Sequence, residues 1–201
     1  MLHRVAPSAV LVVALLLAGC TSGKRHAAGQ QPPAGGSRTA APSGPATLHL
    51  NLQASAIGVG RGVNAAAAVR GATPDMQRFL SGYLTAAFLD AQRQQRAGWR
   101  QLIAMFDGTV QATARRNLDA LSLGAEASKV TAVRAGPASA RVAFLFSGSH
   151  PAAATVSLDF SGTADTGQGS GPVRLKAVLQ LLRTAQGWVI ESYDSHTGGG
   201  A

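Results

Sequence analysis

The chain has 201 residues, 46% of them hydrophobic, one cysteine and a formal net charge of +9. That length supports one domain with an attached tether, and a single cysteine excludes an intrachain disulfide framework or a multi-cysteine metal site. The charge is unevenly placed: every acidic residue lies from Asp75 onward, while residues 21–73 carry Lys24, Arg25, Arg38, Arg61 and Arg70 and no acid; such a stretch suits anionic lipid headgroups, and the wider excess serves solubility.

Met1-Leu2-His3-Arg4 is a short basic start, Ala9–Leu17 is apolar throughout, and the small residues Ala18 and Gly19 precede Cys20. This is the three-part layout of a secretion signal. The apolar run is shorter than the about 20 residues a bilayer span needs. Leu17-Ala18-Gly19-Cys20 resembles the lipobox of bacterial lipoproteins. The resemblance implies that residues 1–19 are removed and that the Cys20 sulfur carries a diacylglyceryl group, with acyl chains such as palmitate. The rest of the chain is then expected on the extracytoplasmic face of the cell membrane. There the membrane itself is a partner through the lipid, and nucleic acid, the other usual partner of basic chains, is not expected.

Residues 20–46 are rich in Gly, Pro, Ser, Ala and Gln, with almost nothing large and apolar. They cannot offset their ordering entropy by burial, so a disordered tether is expected, spanning about 25–30 Å on average. Residues 47–73 are ambiguous. Leu48, Leu50 and Leu52 alternate with polar neighbours as in a short strand; Gly58 to Gly62 reads as flexible chain and Ala65–Val69 as weakly helical.

A domain over residues 74–195 is expected to open with a helix. Thr73 suits an N-cap, Pro74 the first helical position and Asp75 the positive end of the helix dipole. Met76, Phe79, Leu80, Tyr83, Leu84, Ala87, Phe88 and Ala91 then share one side at helical spacing. Gln94 to Gly98 breaks the pattern. Trp99, Leu102, Ile103 and Phe106 mark a second helix, Asp107-Gly108-Thr109 punctuates, and Val110–Leu121 is a third helical segment ending at Gly124.

Beyond Gly124 the period becomes two. Strands are predicted at Val130–Val133, Arg141–Phe146, Thr155–Phe160, Val173–Leu181 and Trp188–Tyr193, with a turn at Gly136-Pro137, a Gly-rich loop over Asp165–Gly171 and a disordered tail at 196–201. Short links between consecutive strands predict an antiparallel meander. Helices first and sheet second predict an α+β fold, with N-terminal helices packed on a bent antiparallel sheet.

The long helix from Asp75 to Ala91, the short helix ending Phe106-Asp107-Gly108, and the closing hairpin of Val173–Leu179 and Gly187-Trp188-Val189-Ile190 together resemble the nuclear-transport-factor-two-like, or cystatin-like, superfamily. More narrowly they resemble exported domains of actinobacteria, including Mce-associated proteins and small lipoproteins; the heavy use of Ala, Gly and Arg fits a high-GC genome of that kind. The lipobox departs from Mce-associated proteins, which usually keep an uncleaved membrane helix. The resemblance implies a cone between helices and sheet, lined by Tyr83, Phe79, Phe88 and Trp188. Two functions follow: a non-enzymatic envelope module that binds a partner protein or an apolar ligand, or a small isomerase- or dehydratase-type enzyme working inside the cone. A lipid-transport accessory with an apolar tunnel is a third.

No catalytic or metal motif stands out, and no cofactor is expected. Gly60, Gly62 and Ala65 fit a relaxed dinucleotide fingerprint, but the sequence shows neither a strong preceding strand nor a βαβ unit. Ser192, Asp194, Ser195 and His196 hold the residue types of a triad, yet near neighbours on a strand splay apart. The histidines His3, His26, His49, His150 and His196 lack ligand spacing. Tyr83 either lines such a cone or, as a core residue, brings its hydroxyl to a backbone carbonyl; Asp90 falls near the same face by helical spacing, but at the helix end, where a solvated place at the rim is expected. Asp159 is expected to point away from the core and Asp107 to punctuate a helix.

Overall fold

The computed structural model describes residues 48–198. The expected signal peptide (1–19), the lipobox Leu17, Ala18, Gly19 and Cys20, the tether to residue 46 and the last three residues lie outside the described residues.

Strand alternation builds the sheet. Val142, Phe144, Val156, Leu158, Phe160, Leu175, Leu179, Leu181 and Ile190 are all buried, and the residues between them, such as Arg141, Ser157, Asp159 and Lys176, are exposed. That is the period-two pattern of strands covered on one face. Five strands result: β1 (Leu50–Gly58), β2 (Val130–Ser147), β3 (His150–Thr166), β4 (Gly169–Thr184) and β5 (Gly187–Gly198), in the order β1-β2-β3-β4-β5. β2 to β5 form the expected antiparallel meander. β1 pairs with β2 in parallel, so the bent sheet is mixed. A parallel pair needs a long crossover, and the whole helical layer supplies it.

That layer runs α1 (Ala65–Leu84), a π-helical turn (Thr85–Leu89), α2 (Ala91–Arg96), α3 (Arg100–Ile103), α4 (Gln111–Arg116), α5 (Leu118–Leu121) and a 3-10 turn (Gly124–Ser128). Met76, Leu80, Tyr83, Leu84, Phe88, Leu102, Ile103 and Phe106 join the sheet residues in one core. The architecture is α+β, helices against a bent sheet.

Several local expectations need correction. α1 begins at Ala65, not Pro74; Asn64 is its N-cap, accepting from the Ala67 amide at 3.0 Å. Thr73 lies inside the helix and donates its hydroxyl to the Val69 carbonyl at 2.7 Å. Pro74 is likewise interior. The Ala65–Ala68 run is strongly helix-forming, and Ala72 and Met76 on either side of the proline are both buried, which offsets the proline's cost. Of the stretch left ambiguous, residues 48–73 thus supply an edge strand and the first two and a half turns of α1. Gly136-Pro137 is a bulge within β2, since Ala135 pairs with Gly162 and Ala138 with Phe160 on the same partner strand. β5 reaches Gly198, so the domain extends beyond residue 195 and residues 196–198 are strand rather than tail.

The expected loop at Asp165–Gly171 is a tight hairpin, and its chemistry recurs. In Thr166-Gly167-Gln168-Gly169 the threonine hydroxyl accepts from the Gln168 amide at 3.2 Å and donates to the Gly169 carbonyl at 3.1 Å. In Thr184-Ala185-Gln186-Gly187 the same bonds measure 3.2 and 2.9 Å. The closing glycines sit at φ 155° and 134°, where a side chain is strained. One four-residue device therefore closes both C-terminal hairpins.

Candidate functional site

Tyr83 and Phe88 lie where the helical period puts them, facing the sheet, but no open chamber surrounds Tyr83. Tyr83 is fully buried and donates its hydroxyl to the Leu121 carbonyl at 3.0 Å. The Phe88 ring stacks on Phe160 at 5.1 Å between centroids. Phe144 sits 5.8 Å from Phe146 and 6.0 Å from Trp188. Offset and tilted rings at these distances are close-packed aromatic core. Phe79 and Trp188 stand at its rim, beside a surface depression of about 420 Å³ shared with Arg183 and Gln101. There the Arg183 guanidinium lies 5.5 Å over the Trp188 ring and 3.3 Å from Asp75. Of the four expected cone-lining residues, two are sealed in and two form the edge.

Burial pushes the Tyr83 phenol above its ordinary pKa, with Tyr193 adding in the same direction. The unfolded chain releases that proton near pH 10, whereas the folded chain holds it. Stability contributed by the neutral phenol is therefore complete below about pH 10 and declines above it, by up to about 1.4 kcal/mol per pH unit. Urea titrations at pH 9 to 11 are expected to show this decline in the wild type and a shallower one in Tyr83→Phe. Equal slopes would remove Tyr83 as the buried titrating group. At neutral pH Tyr83→Phe is expected to cost roughly 1–3 kcal/mol, because the Leu121 carbonyl loses its donor.

The remaining polar candidates do not converge. β5 points Ser192, Asp194 and His196 to the outer face, while Ser195 points inward with its hydroxyl buried and unpartnered. His196 Nδ1 lies 3.9 Å from Asp194 Oδ1, with both side chains over 80% exposed. No hydrogen bond joins Ser192 to either among the described residues. Asp159 faces outward as expected and pairs across the sheet with Lys176 at 3.8 Å. Asp90 pairs with Arg93 at 3.4 Å on the surface. The intervening π turn, closed by the Asp90 amide on the Thr85 carbonyl at 2.8 Å, adds a residue to the coil, so seven positions no longer return Asp90 to the face of Tyr83. Asp107 accepts from the Thr109 hydroxyl at 2.7 Å and its amide at 3.0 Å. Those bonds, the hydroxyl's first, hold its carboxyl below the usual range. Among the described residues no three metal-binding side chains cluster.

The Gly58–Gly62 stretch has more context than the sequence suggested: a strand precedes it, α1 follows, and β1 and β2 are parallel. Its glycines nonetheless serve packing at Gly58 and Gly60 and a left-handed turn at Gly62. A side chain at Gly60 would meet the Gly148 backbone at 3.0 Å. The Gly60 amide bonds the Gly148 carbonyl, and the Val63 amide closes a turn on the Gly60 carbonyl. The amides that would cradle a phosphate are partly spent on the neighbouring hairpin and on the turn itself.

A depression of about 440 Å³ on the helix-free face is lined by Asn51, Gln53, Arg141, Asp159, Lys176 and His196 among others. Its charges alternate in sign and partly pair, and Ala140, Leu158, Ala177 and Val178 lie among them, so it concentrates no charge of one sign. That β1 forms one wall of it was not legible in the sequence, because its partners on β2 lie nearly ninety residues away. Trp99 was expected on the inner face of the second helix, but not with a φ of 57°, which is unusual for a bulky residue. It is the N-cap of α3 and, as expected, buried, at 6% exposure. No protein-family model, curated protein or solved structure matches the chain.

Proposed function

We propose that this chain is a lipid-anchored, extracytoplasmic module of the cell envelope that binds through its outer surface and is not an enzyme. The observation that carries the reading is the run Leu17-Ala18-Gly19-Cys20, with the chain's one cysteine at the position a lipobox requires. The way the interior is used supports the second half. The inward tyrosine is committed to a backbone carbonyl, and the space expected for a substrate is occupied by Phe88, Phe144 and Phe160. A general acid or base has to reach the proton it moves, and the carboxylates Asp90, Asp107 and Asp159 stand on the surface.

The anchor follows from acyl chemistry. Each buried methylene contributes about 0.8 kcal/mol, so two or three chains on one residue hold the protein stably where one would not. Cys20→Ala is expected to abolish acyl labelling and to leave residues 1–19 uncut. The test is labelling of the producing cells with an alkyne fatty acid, followed by gel analysis of the purified chain. Equal label on wild type and Cys20→Ala would overturn the reading.

A further inference from the structure

The two edges of the sheet are finished differently. β5 is covered. The Asp107 amide bonds the Ile190 carbonyl at 2.9 Å, the Ile190 amide bonds the Met105 carbonyl at 2.8 Å, and Asn117 Nδ2 donates to the Tyr193 hydroxyl at 3.1 Å. β1 has no such cover. Among the described residues no strand pairs with its outer edge and no backbone hydrogen bond leaves it.

Sheets usually guard an open edge with charge, proline, a bulge or brevity. Leu50–Gly58 is nine residues long, with no charged residue and no proline, and its one irregularity comes at the far end, between Ala56 and Gly58. β2 to β5 each carry charged residues, among them Arg141, Asp159, Lys176 and Asp194. Residues 48–198 carry 14 Lys or Arg against nine acidic residues, a net +5, so two folded copies repel on the whole. β1 is the strand where that repulsion is missing.

We propose that the outer edge of β1 pairs with the same edge of a second copy of this chain, antiparallel, about a two-fold axis at Ala54. The pairing joins two five-stranded sheets into one. An axis at Ala54 engages all nine residues. On the helix side, Leu52 faces Ala56 of the second copy and Ala54 faces Ala54. On the outer side, Gln53 faces Ser55 and Asn51 faces Ile57, whose side chain is 66% exposed in the single copy. Side chains directly opposite across an antiparallel pair lie about 5 Å apart, and like charges there are unfavourable. An uncharged, self-complementary edge is what a two-fold pairing of identical strands requires. The pairing is independent of the anchored-module reading, because it rests on the folded domain alone.

The test is a cysteine crosslink in the full chain, in whole lysate of the producing cells, so that it reads the pairing whether or not the chain is anchored. Ala54→Cys places two thiols across the axis and is expected to give a covalent dimer with a short bis-maleimide. Asn51→Cys separates its two thiols by roughly 20 Å, six residues at about 3.3 Å each, and is expected to give none. The wild type, with Cys20 alone, is the background control. Adding Gln53→Lys with Ser55→Lys to Ala54→Cys opposes like charges twice and is expected to cut the crosslink at least tenfold. Gln53→Lys with Ser55→Glu opposes unlike charges in the same register and is expected to restore it. Both positions are exposed, and unchanged circular dichroism shows that each variant folds. No dimer at Ala54→Cys, a crosslink to a different protein instead, or a yield indifferent to the paired charges would each overturn the proposal.

Discussion

Phe160→Ala is expected to destabilise the domain by about 3–5 kcal/mol, the range for emptying a buried aromatic site. Phe160 is fully buried, its ring lies 5.1 Å from that of Phe88, and its Cα partners are Ala138 on β2 and Leu175 on β4. The packing on its remaining side is just as close. A side chain at Gly162, two residues on, would meet the Arg134 carbonyl at 2.8 Å and the Phe160 ring at 3.2 Å. Little can shift to fill the space a lost ring leaves. A domain of this size loses about 2–4 °C of melting temperature per kcal/mol, so a fall of roughly 6–20 °C is expected. Thermal unfolding followed by circular dichroism checks it. A fall of a degree or two would mean that the space between helices and sheet is loosely filled, and the argument against an interior chamber would fail with it.

Pro74→Ala is expected to act in the opposite direction. A proline inside a helix costs about 3 kcal/mol, because its nitrogen has no hydrogen to donate and its ring crowds the preceding turn. Alanine returns the hydrogen bond to the Arg70 carbonyl. It also frees the unfolded chain, which takes back roughly 0.4–1 kcal/mol. A net gain of about 2 kcal/mol, or roughly 4–8 °C, follows. A loss of stability on this substitution would show that the first turns of α1 are not continuous with the rest.

That proline marks where the sequence stops being legible. Thr73-Pro74-Asp75 satisfies each local requirement of a helix start, and nothing within a few residues contradicts it. The true start is decided by the Asn64 side chain closing on the Ala67 amide and by burial of Ala72, and the second of these is visible only once the sheet is present. Gly136-Pro137 is the same problem in a strand: a turn and a bulge share a composition, and only the common pairing of both flanks with β3 separates them. The long-period features were legible. Met76, Leu80, Tyr83 and Leu84 fall on the buried side of α1 as their spacing requires, and the β2–β5 residues alternate as read.

At the candidate site the spacing placed Tyr83 inward with its hydroxyl on a backbone carbonyl, as found, but could not say which one: it is that of Leu121, 38 residues on. Asp90 stands at the solvated end of the helix as expected, and the π turn, which leaves no mark in the spacing, turns it further from the face of Tyr83. β1 was half-visible. Leu48, Leu50 and Leu52 alternate clearly, but Ala54, Ser55 and Ala56 are too small to extend the signal, and parallel pairing with Ala138–Leu145 leaves no local trace. The same small, uncharged residues that hid the strand are the ones that leave its edge open.

The most direct measurement of the functional account is the intact mass of the protein recovered from the membrane fraction of its producing cells. The expected species is a chain that begins at Cys20 and carries the added mass of a diacylglyceryl group on its sulfur, with or without a further acyl chain on its amine. A chain that retains residues 1–19, or one that begins at an unmodified Cys20, would contradict it.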